Sequence, residues 1–112
     1  AYEYDALDDY PDFIFPCARA VASDPLSRGI ILGGSGQGEA MAANRVKGVR
    51  AAVFYNGPID IIKLSREHND ANVLSIGARF MSEDDIRSVL DVWFNEPFGG
   101  GRHQRRIDKL DL

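Results

Sequence analysis

The sequence predicts an α/β fold, a Rossmann-like parallel sheet with helices on both faces. Three observations carry that reading. Apolar runs at Ile30–Leu32, Ala51–Tyr55 and Val73–Ile76 read as strands, the first of them buried on both faces. Helical patterns stand between and after these runs. A glycine-rich turn, Gly33 to Gly38, leads from the first run into Ala-rich residues that favour helix. Strands alternating with helices imply parallel pairing through crossover helices, and ligands in such sheets sit at the carboxyl ends of the strands. Three strands are visible of an expected five, so the chain looks like an α/β domain without its opening β-α-β portion.

Residues 1 to 9 are acidic and tyrosine-bearing, without a clear period. Asp9 is placed to cap a helix that has Pro11 in its first turn, where a missing N–H costs least. The helix is expected to run to about Ser23 with Phe13, Cys17, Ala20 and Val21 on one stripe, and Pro16 interrupts its hydrogen bonding. Asp24-Pro25 ends it. After the glycine turn, a helix from about Gly38 to Val46 stops at Lys47-Gly48. Asn56-Gly57-Pro58 is a turn whose proline opens the next helix, on which Ile61, Leu64 and His68 fall at i, i+3 and i+7. His68 is therefore expected on the inward stripe near the helix end. The third strand runs into Gly77-Ala78-Arg79. Ser82, with Asp85 three residues later, caps a helix carrying Ile86, Val89, Leu90, Trp93 and Phe94, the clearest amphipathic period in the chain. Pro97 and Gly99-Gly100-Gly101 break it, and a basic tail helix is expected within residues 101 to 112.

The turn Gly33-Gly34-Ser35-Gly36-Gln37-Gly38-Glu39 concentrates the chemistry. Without a Cβ, glycine lets backbone N–H groups close on a ligand and, with the helix N-terminus, face negative charge. Three known glycine motifs fail on it. Gly33 and Gly38 fit G-x-x-x-x-G-K-S/T, but Glu39 stands where lysine should meet phosphate. The dinucleotide fingerprint needs glycine at 39, and the nucleophile elbow needs it at 37. What remains is an anion-binding turn with one acid at its lip, a proton acceptor beside a place for developing negative charge. The competing reading is a strand-to-helix turn whose glutamate only favours the helix dipole. Because the turn and Gly77-Ala78-Arg79 both follow strands, Glu39 and Arg79 are expected on one rim.

At 112 residues the chain makes one domain, and its 45% apolar and 27% charged composition is that of a soluble globular protein. No apolar run approaches the roughly 20 residues that span a bilayer, and Glu3, Asp5, Asp8 and Asp9 are the opposite of a basic leader, so no membrane partner is expected and the cytoplasm is the default. The single cysteine, Cys17, excludes an internal disulfide and reads as a buried structural thiol. A net charge of −4 argues against nucleic-acid binding by the whole surface. In the tail, Arg102-His103-Gln104-Arg105-Arg106 places Arg102 and Arg106 on one helical face, able to grip a phosphate by forked hydrogen bonds; a solvated basic end or an RNA patch are the other readings.

In their order and spacing, several pieces resemble the ribose-5-phosphate isomerase B family, which includes the galactose-6-phosphate isomerase subunits. They are Asp9-Tyr10-Pro11, Gly33 through Glu39, Ala42 through Val46, Arg66 through Val73, Gly77-Ala78-Arg79 and Gly101 through Arg106. The resemblance implies metal-free, cofactor-free interconversion of an aldose phosphate and a ketose phosphate through an enediolate. It implies Glu39 as the base, in the branch that lacks a cysteine at the Gly33 position, and His68 as the acid/base that opens the sugar ring, with Asn69 beside it. Gly34, Ser35, Gly36, Gln37 and Gly38 would stabilise the enediolate. Arg79, Arg102 and Arg106 would hold the phosphate, and Tyr10 and His103 would line the pocket. A homodimer or a dimer of dimers is implied, each site built from both subunits.

Family chains open with a strand and an Asp-His-Ala-Gly motif whose Asp and His contact the sugar, and this portion is absent here. Its strand would lie beside the Gly29–Leu32 run, so an open edge is expected there, and the 112-residue chain is expected to have little or no isomerase activity alone. A galactose-6-phosphate-type isomerase, a non-catalytic sugar-phosphate sensor and an RNA-binding tail are the alternatives. The tail lacks the interleaved aromatics that stack on bases.

Overall fold

The computed structural model describes residues 5–112, so the acidic opening stretch, Glu3 with it, begins outside the described residues. Three strands, β1 (Gly29–Gly33), β2 (Ala51–Phe54) and β3 (Val73–Gly77), form a parallel sheet in the spatial order β1-β3-β2. Gly29 and Ala51 both stand beside Val73, and Gly33 stands beside Gly77, so the strands start level and β1 and β3 end level. The helices are α1 (Pro11–Ser23), α2 (Gln37–Ala43), α3 (Asp60–Glu67), α4 (Glu83–Asn95) and α5 (Arg102–Ile107), with one 3-10 turn at Ala78–Phe80.

Helices cover both faces, as expected. On one side Ile14, Ala18 and Val21 of α1 and Ala42 and Ala43 of α2 pack on Ile31 and Val73. On the other, Ile62 of α3 and Val89 and Trp93 of α4 pack on Phe54, Leu74 and Ile76. Every residue of β3 is buried, which explains a strand that is apolar but for Ser75. Each fully buried aliphatic side chain of this kind is worth about 1.5–3 kcal/mol relative to exposure.

The structure corrects the helix faces. On α1 the buried stripe is Ile14, Ala18 and Val21; Phe13 is 42% exposed, Ala20 is exposed and Cys17 is half-buried, its thiol pushed up from the usual cysteine range by that burial. Tyr10, not Asp9, takes the N-cap position, and no side chain caps it. Pro16 sits inside the helix on its solvent side, where its missing N–H breaks the helical hydrogen bonding away from the core. On α3 the inward stripe is Ile62, Ser65 and Arg66, while Ile61 and Leu64 are 46% and 43% exposed. His68 is half-buried at the C-cap rather than on the inward stripe. On α4, Phe94 is half-exposed. Helix α2 is shorter than expected and continues only as turns to Val46 before Gly48, whose φ is +89°.

The sheet has two edges. β1 pairs with β3 alone, and among the described residues its other side carries no strand. On the β2 side, the Asn44 side chain doubles as a strand: its Nδ2 donates to Ala51 O at 3.0 Å and its Oδ1 accepts from Ala51 N–H at 2.7 Å.

At the start of α4 the expected capping box is complete: Asp85 N–H donates to Ser82 Oγ at 3.1 Å, and Ser82 N–H donates to Asp85 Oδ2 at 3.2 Å. Ser82→Ala removes the first bond and loosens the second. It is expected to lower stability by about 1 kcal/mol, read as a lower urea midpoint at constant slope.

Candidate active site

The β1–α2 turn is held against the end of β3. Arg79 N–H donates to Gly34 O at 3.1 Å, and the buried Ser75 hydroxyl donates to Gly36 O at 2.6 Å. Gly36 has φ +79°, and a Cβ there would stand 3.0 Å from Ser75 Oγ and 3.1 Å from Gly77 N, so neither the conformation nor the space admits a side chain. The turn then enters α2, where Ser35 Oγ accepts from Gln37 N–H at 3.3 Å. No acceptor among the described residues takes the Gly38 and Glu39 amides, which belong to the first helical turn and have no partner within the helix.

The Glu39 carboxylate lies directly over Gly33, in the space that a Cβ on Gly33 would fill. Next to it, the Arg79 guanidinium lies over Gly34, where a Cβ would come 2.9 Å from Nη2. Glu39 makes none of the ion pairs found among the described residues, so its carboxylate is not neutralised by a fixed partner. From the other side, Tyr10 closes on the first turn of α2, its Oη 2.6 Å from where a Cβ on Gly38 would stand. The carboxyl end of the sheet thus gathers Tyr10, Gly34, Ser35, Gly36, Gln37, Gly38, Glu39 and Arg79. Chemically this is a carboxylate, the free amides of Gly38 and Glu39 and a guanidinium on one rim.

The other sequence-predicted residues lie elsewhere. Helix α3 runs antiparallel to the strands, so its C-terminus, with His68 and Asn69, returns to the start of β3. The His103 ring of α5 stacks on His68 with centroids 4.4 Å apart and planes 16° apart. Gly99 N–H donates to Glu67 O at 2.9 Å and brings the tail to this end. Arg102 and Arg106 are exposed on α5, and Asn69 borders a cleft with Arg50, Ala51, Ala52, Ala71 and Leu110. Partial enclosure, and then the positive charges of His68, Arg102 and Arg106, hold His103 below its ordinary value, with Glu67 opposing them.

The amino and carboxyl ends of the sheet are separated by the length of β3, roughly 13 Å at 3.3 Å per residue. Within one chain, Glu39 and His68 are therefore not brought together. Nearby, Arg66 is structural: it is buried and donates to Asp70 Oδ1 at 2.7 Å and Ala71 O at 2.8 Å, while Arg50 shares the same carboxylate at 3.3 Å. The sequence reading missed the contact of Asp111, whose Oδ2 accepts from Gly48 N–H at 2.9 Å. No local pattern announces a contact across 63 positions.

A family model described as Ribose/Galactose Isomerase matches residues 1–110. Ribose-5-phosphate isomerase B of Mycolicibacterium paratuberculosis is 43% identical over 111 residues, 98% of this chain and 69% of that protein. Among solved structures, ribose-5-phosphate isomerase B from Mycoplasma genitalium with bound ribulose-5-phosphate superposes with a TM-score of 0.90 at 42% identity, covering 98% of this chain and 72% of that one. The Clostridium thermocellum ribose-5-phosphate isomerase B gives 0.89 at 41% identity, covering 99% and 74%. A match over nearly all of the chain, with relatives this similar in sequence and backbone, means that the chain belongs to the ribose/galactose isomerase family of enzymes.

Proposed function

We propose that the protein interconverts ribose 5-phosphate and ribulose 5-phosphate, with Glu39 as the base. The observation that carries this reading is the seat of the Glu39 carboxylate on Gly33, beside backbone amides and the Arg79 guanidinium. Glu39 takes the proton from C2 of the open-chain aldose, and the negative charge that develops on O1 faces the amides of Gly34 to Gly38. The O2 hydroxyl proton passes to O1, and return of the carbon-bound proton from Glu39 to C1 gives the ketose. Removing a proton next to a carbonyl needs a base on one side and fixed donors on the other, and both stand on this rim.

The roughly 13 Å between the two ends of the sheet supports a site completed by a second copy of the chain, in a dimer or a dimer of dimers. His68 of the partner subunit opens the sugar ring by moving a proton from the O1 hydroxyl to the ring oxygen, with Asn69 on the substrate. Arg102 and Arg106 from the same end join Arg79 on the phosphate, and His103 and Tyr10 line the pocket. The exposed Ile61 and Leu64, on the outer side of the helix that ends at His68, supply apolar surface for such a partner to cover.

Glu39→Gln is expected to keep ribose 5-phosphate binding and to lose solvent exchange of the C2 proton by about 100-fold or more. A phosphosugar sensor would bind equally well and never exchange, in the wild type as in the variant. Mixing inactive Glu39→Gln and His68→Ala subunits should regain about a quarter of wild-type activity if sites are shared across a two-fold dimer. No regain would place both residues in one subunit's site.

The histidine pair gives a pH prediction. The folded His103 binds its proton less readily than the unfolded chain, so the unfolded or undocked tail gains the proton first on acidification. Docking of the tail is complete above the ordinary histidine value and weakens as pH falls through it. By NMR, His103 should titrate below about 6.5, and His68→Ala should raise the midpoint. A midpoint at or above the ordinary value would contradict enclosure and neighbouring positive charge as what governs His103.

A further inference from the structure

The tail helix has little of its own to hold it in place. None of its residues is buried; Arg102, Gln104, Arg105 and Arg106 are exposed, and only His103 and Ile107 are half-buried. A six-residue helix is far below the length at which isolated helices are stable in water, so its position is set by attachments. Three attachments are evident. Before the helix, Gly99 N–H donates to Glu67 O at 2.9 Å; within it, His103 stacks on His68; after it, Asp111 Oδ2 accepts from Gly48 N–H at 2.9 Å. The first and third bracket the second.

The third is the one that a side chain makes after the helix has ended. Gly48 terminates the turns that follow α2 with φ +89°, and its amide points out of that turn toward the tail. A carboxylate accepting from a backbone amide is a charge-assisted bond, stronger than a neutral one. With Asp111 held there, Leu110 borders the same cleft as Asn69, the neighbour of His68. The tail is thereby closed into a strap across the amino end of the sheet.

We infer that Asp111 is a positioning residue, whose carboxylate on the Gly48 amide fixes α5 so that His103 stays on His68 and Arg102 and Arg106 are presented together. The inference rests on the roles proposed above for those residues, but the anchoring itself can be measured without turnover. Asp111 touches no reacting atom. Its effect on the reaction passes through the arginines, which bind the phosphate equally in substrate and transition state, so its loss appears in KM more than in kcat.

The test compares the full chain with Asp111→Ala and Asp111→Asn. In Asp111→Ala, Gly48 amide exchange is expected to speed up at least tenfold, and the His103 ring resonances to shift, with its titration midpoint moving up toward the ordinary histidine value. Asp111→Asn retains an acceptor oxygen and should restore most of both effects. Asp111→Ala should weaken ribose 5-phosphate binding several-fold, and in the isomerase assay raise KM by as much with kcat within twofold. Unchanged Gly48 exchange and an unchanged His103 titration in a folded Asp111→Ala protein would overturn the anchoring. Altered exchange and titration with an unchanged KM would overturn its link to the phosphate grip. A wild-type protein that does not bind ribose 5-phosphate would instead count against the isomerase reading, while the exchange and titration results would still decide the anchoring.

Discussion

The site depends on how closely the β1–α2 turn approaches the end of β3. Ser75 Oγ reaches Gly36 O at 2.6 Å across that contact, and Arg79 N–H reaches Gly34 O at 3.1 Å. Both bonds require the backbone of the turn to lie close against β3 with no Cβ on the turn in between. Because Gly33, Gly34 and Gly36 lack a Cβ, the turn lies flat, and the space above it is filled by the Glu39 carboxylate and the Arg79 guanidinium instead. A buried hydroxyl on an otherwise apolar strand is costly unless paired, and Ser75 meets that cost by holding the turn. Packing, backbone conformation and chemistry are therefore set by one contact.

The parallel sheet imposes a second constraint. Each crossover helix returns the chain to the amino end of the strands, so residues that end a helix and residues that follow a strand lie at opposite ends. Glu39 and Arg79 belong to the second group, whereas His68 and Asn69 belong to the first. No side-chain rotation bridges a strand's length. The stack of His103 on His68 then joins the tail to the amino end, leaving two separate groups of candidate site residues on one chain, each with its own supporting contacts.

Much of the fold was legible in local chemistry. The capping box of Ser82 and Asp85 and the alternation of apolar runs with helical periods each involve residues a few positions apart, where propensity and hydrogen bonding act directly. The helix faces were less legible. Ile61 and Ile62 are adjacent and equally apolar, so the period alone does not say which turns inward; Ile62 does, because α4 and β3 lie on that side. The same one-position slip moved His68 off the inward stripe. The rim shared by Glu39 and Arg79 could be read from topology, since both follow strands. The ring-opening role of His68 came only from resemblance, whereas a phosphate grip by Arg102 and Arg106 was also suggested by their i, i+4 spacing; the Asp111–Gly48 bond left no trace in the sequence, because it joins segments that nothing but the finished fold brings together.

Asn44 has a consequence beyond the strand that it borders. Parallel strands with free edges are templates for intermolecular zippering, and proteins that persist at high concentration obstruct them. By satisfying both outward-facing groups of Ala51, the Asn44 amide occupies the first rung at which a foreign strand could join β2. Adhesion from that flank would have to expel a partner already bonded at both ends, so any enlargement of the sheet by another polypeptide is steered to the β1 flank, beside the glycine turn.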